Sequence, residues 1–173
     1  MKLNSVTAIL RALNAAEVRV LVVGGLAVNA HGYLRLTKDA DLAIDLVAEN
    51  ILRAFQALST LGYSPRVPIT ATQFADPALR ATWIREKEMK VLQFFSDQHR
   101  ETPVDVFVIE PFDFAQEYAR AVTALVDPTG TDPTLARYVA IAALIRMKED
   151  VGRPRDLDDV EHLRWILEEQ RDE

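Results

Sequence analysis

Cysteine is absent from this chain, which excludes a disulfide framework, thiolate catalysis and thiolate metal sites. No apolar run approaches the roughly 20 residues that a membrane helix requires, so no membrane partner is expected. Positive charge is in short supply too: 26 acids against 20 Lys and Arg leave a formal charge of −6. Broad, non-specific affinity for nucleic acid needs clustered cations and is disfavoured, although a local basic groove is compatible with the total. Internal repeats and low-complexity linkers are missing as well. The amphipathic N-terminus MKLNSVTAILRALNAAEVR has no small-residue cleavage site and reads as a helix rather than a secretory signal. A cytoplasmic location is the default expectation. What remains is 173 residues of ordinary composition, enough for one domain with a real core and a small appendage.

Apolar positions at helical spacing (Val6, Ile9, Leu10, Leu13) predict a first helix over 5–16. The β-branched run Val18–Val23 predicts a buried strand, broken by Gly24 and Gly25. Leu26–His31 reads as a short helix closed by Gly32, Ala40–Leu46 as a second strand, and Asn50–Leu61 as a helix ended by Gly62. Residues 64–74 have no clear period and read as loop or edge strand. Pro77 opens a helix over 77–87. Met89–Phe95 and Val104–Ile109 are expected as strands joined across SDQHRET, with Pro103 at a strand start where it is tolerated. After Pro111 the character changes. A short strand is expected over Ala121–Val126, then a long helix capped by Asp132 and opened by Pro133, running to about Val151. Gly152 and Pro154 stop it, and Asp156 caps a last helix to about Glu169. The layout expected is an α/β (α+β) core over 1–112, with a helical C-terminal region over 113–173 packed on it.

The run LVVGGLAVNAHGYLRLTKDADLAID at 21–45 is the most informative segment. Side chains alternate along a strand, so Asp39 and Asp41 share a face while Leu42 and Ile44 point elsewhere. Adjacent carboxylates repel one another, which makes best sense if a divalent cation joins them. The Gly24–Gly25 turn offers backbone N–H groups able to hold phosphate. Far downstream, PVDVFVI places Asp105 among apolar strand neighbours, where an unpartnered carboxylate is costly. If the two acidic strands are adjacent, three carboxylates converge. Together these features point to a magnesium–nucleoside triphosphate site.

The segments GGLAVNAHGYLRLTKDADLAID, PVDVFV and MKEDVGRPRDLDDVEHL together resemble the DNA polymerase β-like nucleotidyltransferase superfamily. Within it the chain most resembles bacterial nucleotidyltransferases of the abortive-infection toxin (AbiEii) group and their relatives. Small aminoglycoside and lincosamide nucleotidyltransferases share the core pattern. The resemblance implies a mixed β-sheet flanked by helices, with an ATP or other NTP as substrate and two magnesium ions as cofactor. It implies that Gly24 and Gly25 cradle the triphosphate, with glycine at the second position where many members carry serine. It assigns Asp39, Asp41 and Asp105 as metal ligands and catalytic acids, Asp105 helping to deprotonate the attacking hydroxyl. Arg35 and Thr37 match an Arg-x-Thr-x-Asp pattern at the phosphate end of the pocket. Lys148, with Asp156 beyond it, matches a Lys…Arg-x-x-Asp segment, and Lys148 or Arg35 would counter the charge of departing pyrophosphate.

Plainer roles stand beside these. The three aspartates could be a solvated strand face plus one salt-bridged acid. Asp45 reads as a helix end-cap, Asp156 as a bare N-cap with Asp159 at N3, and Lys148 and Arg153 as cations favoured at a helix C-terminus. His31 reads as structural, and Trp83 and Trp165 as core or interface. The leading functional expectation is a magnesium-dependent transfer of NMP to a hydroxyl on tRNA, protein or a small molecule, in a bacterial toxin–antitoxin or defence setting with an antitoxin partner. The competing expectations are antibiotic modification, and a catalytically weak nucleotide-binding module acting through a partner protein. Retention of all three acids favours an active enzyme.

Overall fold

The structure is a computed structural model and describes residues 1–130 and 133–172. Its first half runs α1 (Leu3–Ala15), β1 (Val20–Val22), α2 (Gly24–Ala30), β2 (Ala40–Ile44), α3 (Ala48–Thr60), β3 (Ser64–Pro65), α4 (Ala71–Ala75) and α5 (Pro77–Lys87). The second half runs β4 (Val91–Phe95), β5 (Val104–Phe107), α6 (Phe114–Arg120), β6 (Val122–Leu125), β7 (Leu135–Tyr138), α7 (Ile141–Val151) and α8 (Pro154–Asp172).

The seven strands form one mixed sheet in the order β3-β4-β5-β2-β1-β7-β6. β2 runs antiparallel to β1 and parallel to β5, and β7 runs parallel to β1. The short central strand β1 is buried throughout, which explains its unbroken Val-Leu-Val run. α1 turns Val6, Ile9, Leu10 and Leu13 inward, all at most 2% exposed. At roughly 1.5–3 kcal/mol per fully buried aliphatic side chain, that stripe holds the helix in place against α3 and the sheet. Among the described residues no helix is long and apolar enough to cross a membrane.

Local signals set several boundaries as expected. Asp76 accepts hydrogen bonds from the Ala78 and Leu79 N–H groups ahead of Pro77, fixing the start of α5. Gly62 and Gly152 follow α3 and α7 with positive φ, 73° and 63°. The segment 64–74 contains a two-residue edge strand and, at α4, a capping box between Thr70 and Gln73.

The C-terminal third differs from the sequence expectation. No helix runs from Pro133 to Val151; instead Leu135–Tyr138 is a strand paired with β1 and β6, and the helix starts only at Ile141. Alternate burial of Ala136 and Tyr138 in a sheet overrides the helical spacing of the apolar residues there. Asp132, expected to cap that helix, lies outside the described residues. Asp156 is not an N-cap either: α8 begins at Pro154, and Asp156 sits in its first turn with its carboxylate engaged by side chains. Helix α6 was not anticipated. Asp113 caps it by accepting from the Gln116 N–H at 3.0 Å.

Candidate functional site

β1 ends at Val22 and the chain turns at Gly24, where φ is +59°, directly into α2. A side chain at Gly24 would collide with the Asp41 carboxylate, its Cβ falling 2.6 Å from Asp41 Cγ. Only glycine permits both that backbone conformation and that approach. The Gly25 N–H donates a hydrogen bond to the Asp41 carboxylate. A Cβ at Gly25 would stand 2.6 Å from Thr37 Oγ1 and 2.8 Å from Thr37 Cβ. Glycine at this second position therefore follows from packing: the Thr37 side chain fills the space a serine would need.

The three aspartates reach one place by sheet register. Asp41 on β2 lies opposite Asp105 on the parallel strand β5, and Asp39 just precedes β2. All three line one cleft of about 780 Å³, together with Gly25, Arg35, Thr37 and Lys148. Burial, then repulsion from Asp39 and Asp105, pushes the Asp41 carboxyl up to about 7, against the opposing pull of Lys148 and the Gly25 N–H. Asp105, 9% exposed, is likewise raised, chiefly by burial and further by Asp39. Against this, Gln93 Nε2 donates to Asp105 Oδ1 at 2.9 Å and favours the ionised form. Thr37 Oγ1 donates to the Asp39 carbonyl at 3.3 Å.

Among the described residues no three His, Cys, Asp or Glu side chains enclose an ion by themselves. The aspartates form an open set of hard oxygen donors, and burial together with their mutual repulsion raises Asp41. That chemistry fits magnesium, which takes one or two carboxylates and completes its shell with water and substrate phosphate.

The cationic side of the cleft is more tightly built than the sequence reading foresaw. Lys148 is 8% exposed, and its Nζ lies 3.0 Å from Asp156 Oδ1 and 2.8 Å from Asp159 Oδ2. Arg35 meets the same Asp159 through Nη2 at 2.8 Å and through Nε at 2.6 Å. Arg153 Nε donates to Asp156 Oδ2 at 2.7 Å. Burial opposes ionisation of Asp156, but hydrogen bonds from Arg153 and Lys148 outweigh it and hold the carboxyl below its ordinary range. Asp159, wholly buried, thus joins the loop carrying Arg35 to α7. The loop is fastened to α8 twice more: Tyr33 stacks on His162 at 3.8 Å and donates to Asp158, and Arg155 donates to the Leu36 carbonyl.

Other singled-out residues fall outside this arrangement. His31 Nε2 lies 2.8 Å from the Val139 carbonyl and is structural. Asp45 pairs with Arg19 at 2.7 Å and accepts from the Val47 N–H, while the N-cap of α3 is Val47 itself. Trp83 packs against Phe74, whereas Trp165 is 68% exposed. Asp159 and Gln93 were missed as site residues. Gln93 had a legible signal, being the one polar residue inside VLQFF; Asp159 had only its spacing of three from Asp156.

Neither a protein-family model nor a curated protein matches this sequence. Solved structures do match it in shape. One is the lincomycin-bound lincosamide antibiotic adenylyltransferase LnuA, with 16% identity and a TM-score of 0.54 over 91% of this chain and 93% of that one. Another is the antibiotic-resistance factor ANT(2'')-Ia, with 16% identity and a TM-score of 0.55 over 98% and 92% of the two chains. At that identity the likeness speaks for the architecture: this chain has the mixed α/β fold of nucleotidyltransferases.

Proposed function

We propose that this chain transfers NMP from an NTP to a hydroxyl group, with magnesium as cofactor. The observation that carries the reading is the in-register pair Asp41–Asp105 beside the Gly24–Gly25 turn, on a fold shared with an adenylyltransferase. In this reading backbone N–H groups of the turn hold the triphosphate, and Thr37 lines the same end of the cleft. Asp39, Asp41 and Asp105 would hold magnesium, which supplies charge neutralisation at the attacking and leaving oxygens when bound. The acceptor hydroxyl attacks the α-phosphorus, its proton passes to Asp105, and the bond to the β-phosphate oxygen breaks to release pyrophosphate. Arg35 and Lys148 face the same cleft and offset the negative charge that gathers on the departing group.

The acceptor class favoured is a small polyhydroxylated molecule of antibiotic type. Likeness over nearly the whole length of a lincosamide antibiotic adenylyltransferase and an antibiotic-resistance factor supports this, and so does the net charge of −6, unfavourable for tRNA. Transfer to tRNA or protein within a toxin–antitoxin system rests on the AbiEii-like sequence resemblance alone. One assay separates these acceptors. The protein is incubated with each α-labelled NTP and magnesium, plus a lincosamide, an aminoglycoside, tRNA or total cell protein. Label on a small molecule is expected, and Asp41→Asn should abolish it. Label on tRNA or protein moves the assignment to the toxin class. No transfer to any acceptor, with nucleotide still bound, favours a silent binding module.

A further inference from the structure

A single row of side chains crosses the sheet from its edge to the acids. Gln93 on β4 lies directly opposite Asp105 on the antiparallel β5, and Asp105 in turn lies opposite Asp41 on β2. Cross-strand partners share a face, so the Gln93 amide stands beside the Asp105 carboxylate, and its Nε2 donates to Oδ1 at 2.9 Å. At the edge, Arg66 follows β3 and closes the row. Its backbone N–H donates to the Gln93 carbonyl at 2.8 Å, and its Nη1 donates to Gln93 Oε1 at 2.8 Å.

These bonds leave the amide one orientation. A guanidinium cannot accept a hydrogen bond, so Arg66 must face the amide oxygen, and the NH2 group must face Asp105. The neighbours Leu92 and Phe94, each 1% exposed, are buried on the opposite face and lock the strand register. Gln93 is thus a polar residue in an apolar strand whose two ends are both used.

We infer that Gln93 is a positioning residue for Asp105: it holds Oδ1 in one place and turns Oδ2 toward the cleft, with Arg66 fixing the polarity of its amide. The inference rests on the nucleotidyltransferase reading of the three acids. Groups that hold a ligating carboxylate from behind commonly contribute 10- to 100-fold to metal affinity or activity. The role is distinct from that of Arg35 and Lys148, which lie at the phosphate end.

The test reads Mn2+ binding to the full chain, as loss of the free-ion electron paramagnetic resonance signal, and needs no knowledge of the acceptor. Gln93→Leu is expected to raise the Mn2+ dissociation constant about 10-fold or more. In the labelled-nucleotide assay it should lower kcat by a similar factor, with KM for the NTP changed less than about threefold. Arg66→Leu, on the exposed edge, should reproduce a weaker version of the same loss. Arg66→Lys still donates to Oε1 and should restore Mn2+ affinity. Asp105→Asn is the control. If Asp105→Asn weakens Mn2+ binding while Gln93→Leu and Arg66→Leu match the parent, the positioning role is refuted and the acid site stands. If the parent and Asp105→Asn bind Mn2+ equally, the metal reading of the acids falls, and this inference with it. Should Gln93→Leu fail to fold, the Arg66 pair alone decides: loss with Leu and recovery with Lys supports the role, and equal affinity overturns it.

Discussion

Replacing Asp41 with asparagine should stabilise the metal-free protein at neutral and alkaline pH while destroying its activity. Asp41 titrates at about 7 instead of its ordinary 3.8, because burial and the Asp39 and Asp105 charges disfavour its ionised form. Between those two values the folded chain holds a proton that the unfolded chain has released. Stability must therefore fall as pH rises from about 4 to about 7, and level off above. At about 1.36 kcal/mol per tenfold change, the full separation corresponds to ~4 kcal/mol. The carboxylate is only partly covered and its cleft side meets water, so about half of that, ~2 kcal/mol, is the expected cost at pH 8. Asparagine keeps the shape, carries no charge, and can still accept from the Gly25 N–H. Urea unfolding with EDTA at pH 4, 6 and 8 measures the effect. The parent and Asp41→Asn should match at pH 4, with the variant ahead by ~2 kcal/mol at pH 8. Magnesium should close the gap by stabilising only the parent. A difference independent of pH, or a variant weaker than the parent at pH 8, would refute the account of a carboxylate raised by burial and by its acidic neighbours.

Three further outcomes follow from the geometry. Gly25→Ser should destabilise by roughly 1–3 kcal/mol through its clash with Thr37, and Thr37→Gly in the same chain should recover most of it; a double-mutant cycle by chemical denaturation checks the coupling. Asp159→Ala strips Arg35 and Lys148 of their shared buried partner and should cost about 3–5 kcal/mol, whereas Asp158→Ala, at the exposed rim, should cost about 1 kcal/mol or less by the same denaturation. His31 is held below its ordinary 6.5 by burial, so the unfolded chain takes up a proton first as pH falls; stability should drop below about pH 6.5, and His31→Gln should reduce that drop in acid-unfolding curves.

How much of this was legible in the sequence depended on the range of the interaction concerned. Asp39, Asp41 and Asp105 could be read because strand alternation and an acid among apolar neighbours are local signals, and Gly24–Gly25 because glycine punctuates a strand. The same locality misled at 133–140. LARYVAIAAL has helical spacing throughout, and only pairing with Val22 and with β6 makes its first part a strand. Asp156 carried the local signature of an N-cap, yet its carboxylate is claimed by Lys148 from the preceding helix. Asp159 and Gln93 show the limit most clearly. Their partners, Arg35 in one case and Asp105 in the other, are set by tertiary register, which no spacing along the chain reports.

The placement of β7 has a bearing on biosynthesis. β1 lies between β2, which follows it closely, and β7, which is synthesised long after both. Until then one edge of the most apolar strand stays open on the nascent chain, and closing it demands a long-range loop. The late strand is also the lead-in to the helix that bears Lys148. A ribosome that stalls before this point leaves behind an aggregation-prone edge, so synthesis past β7 and full burial of β1 become one event.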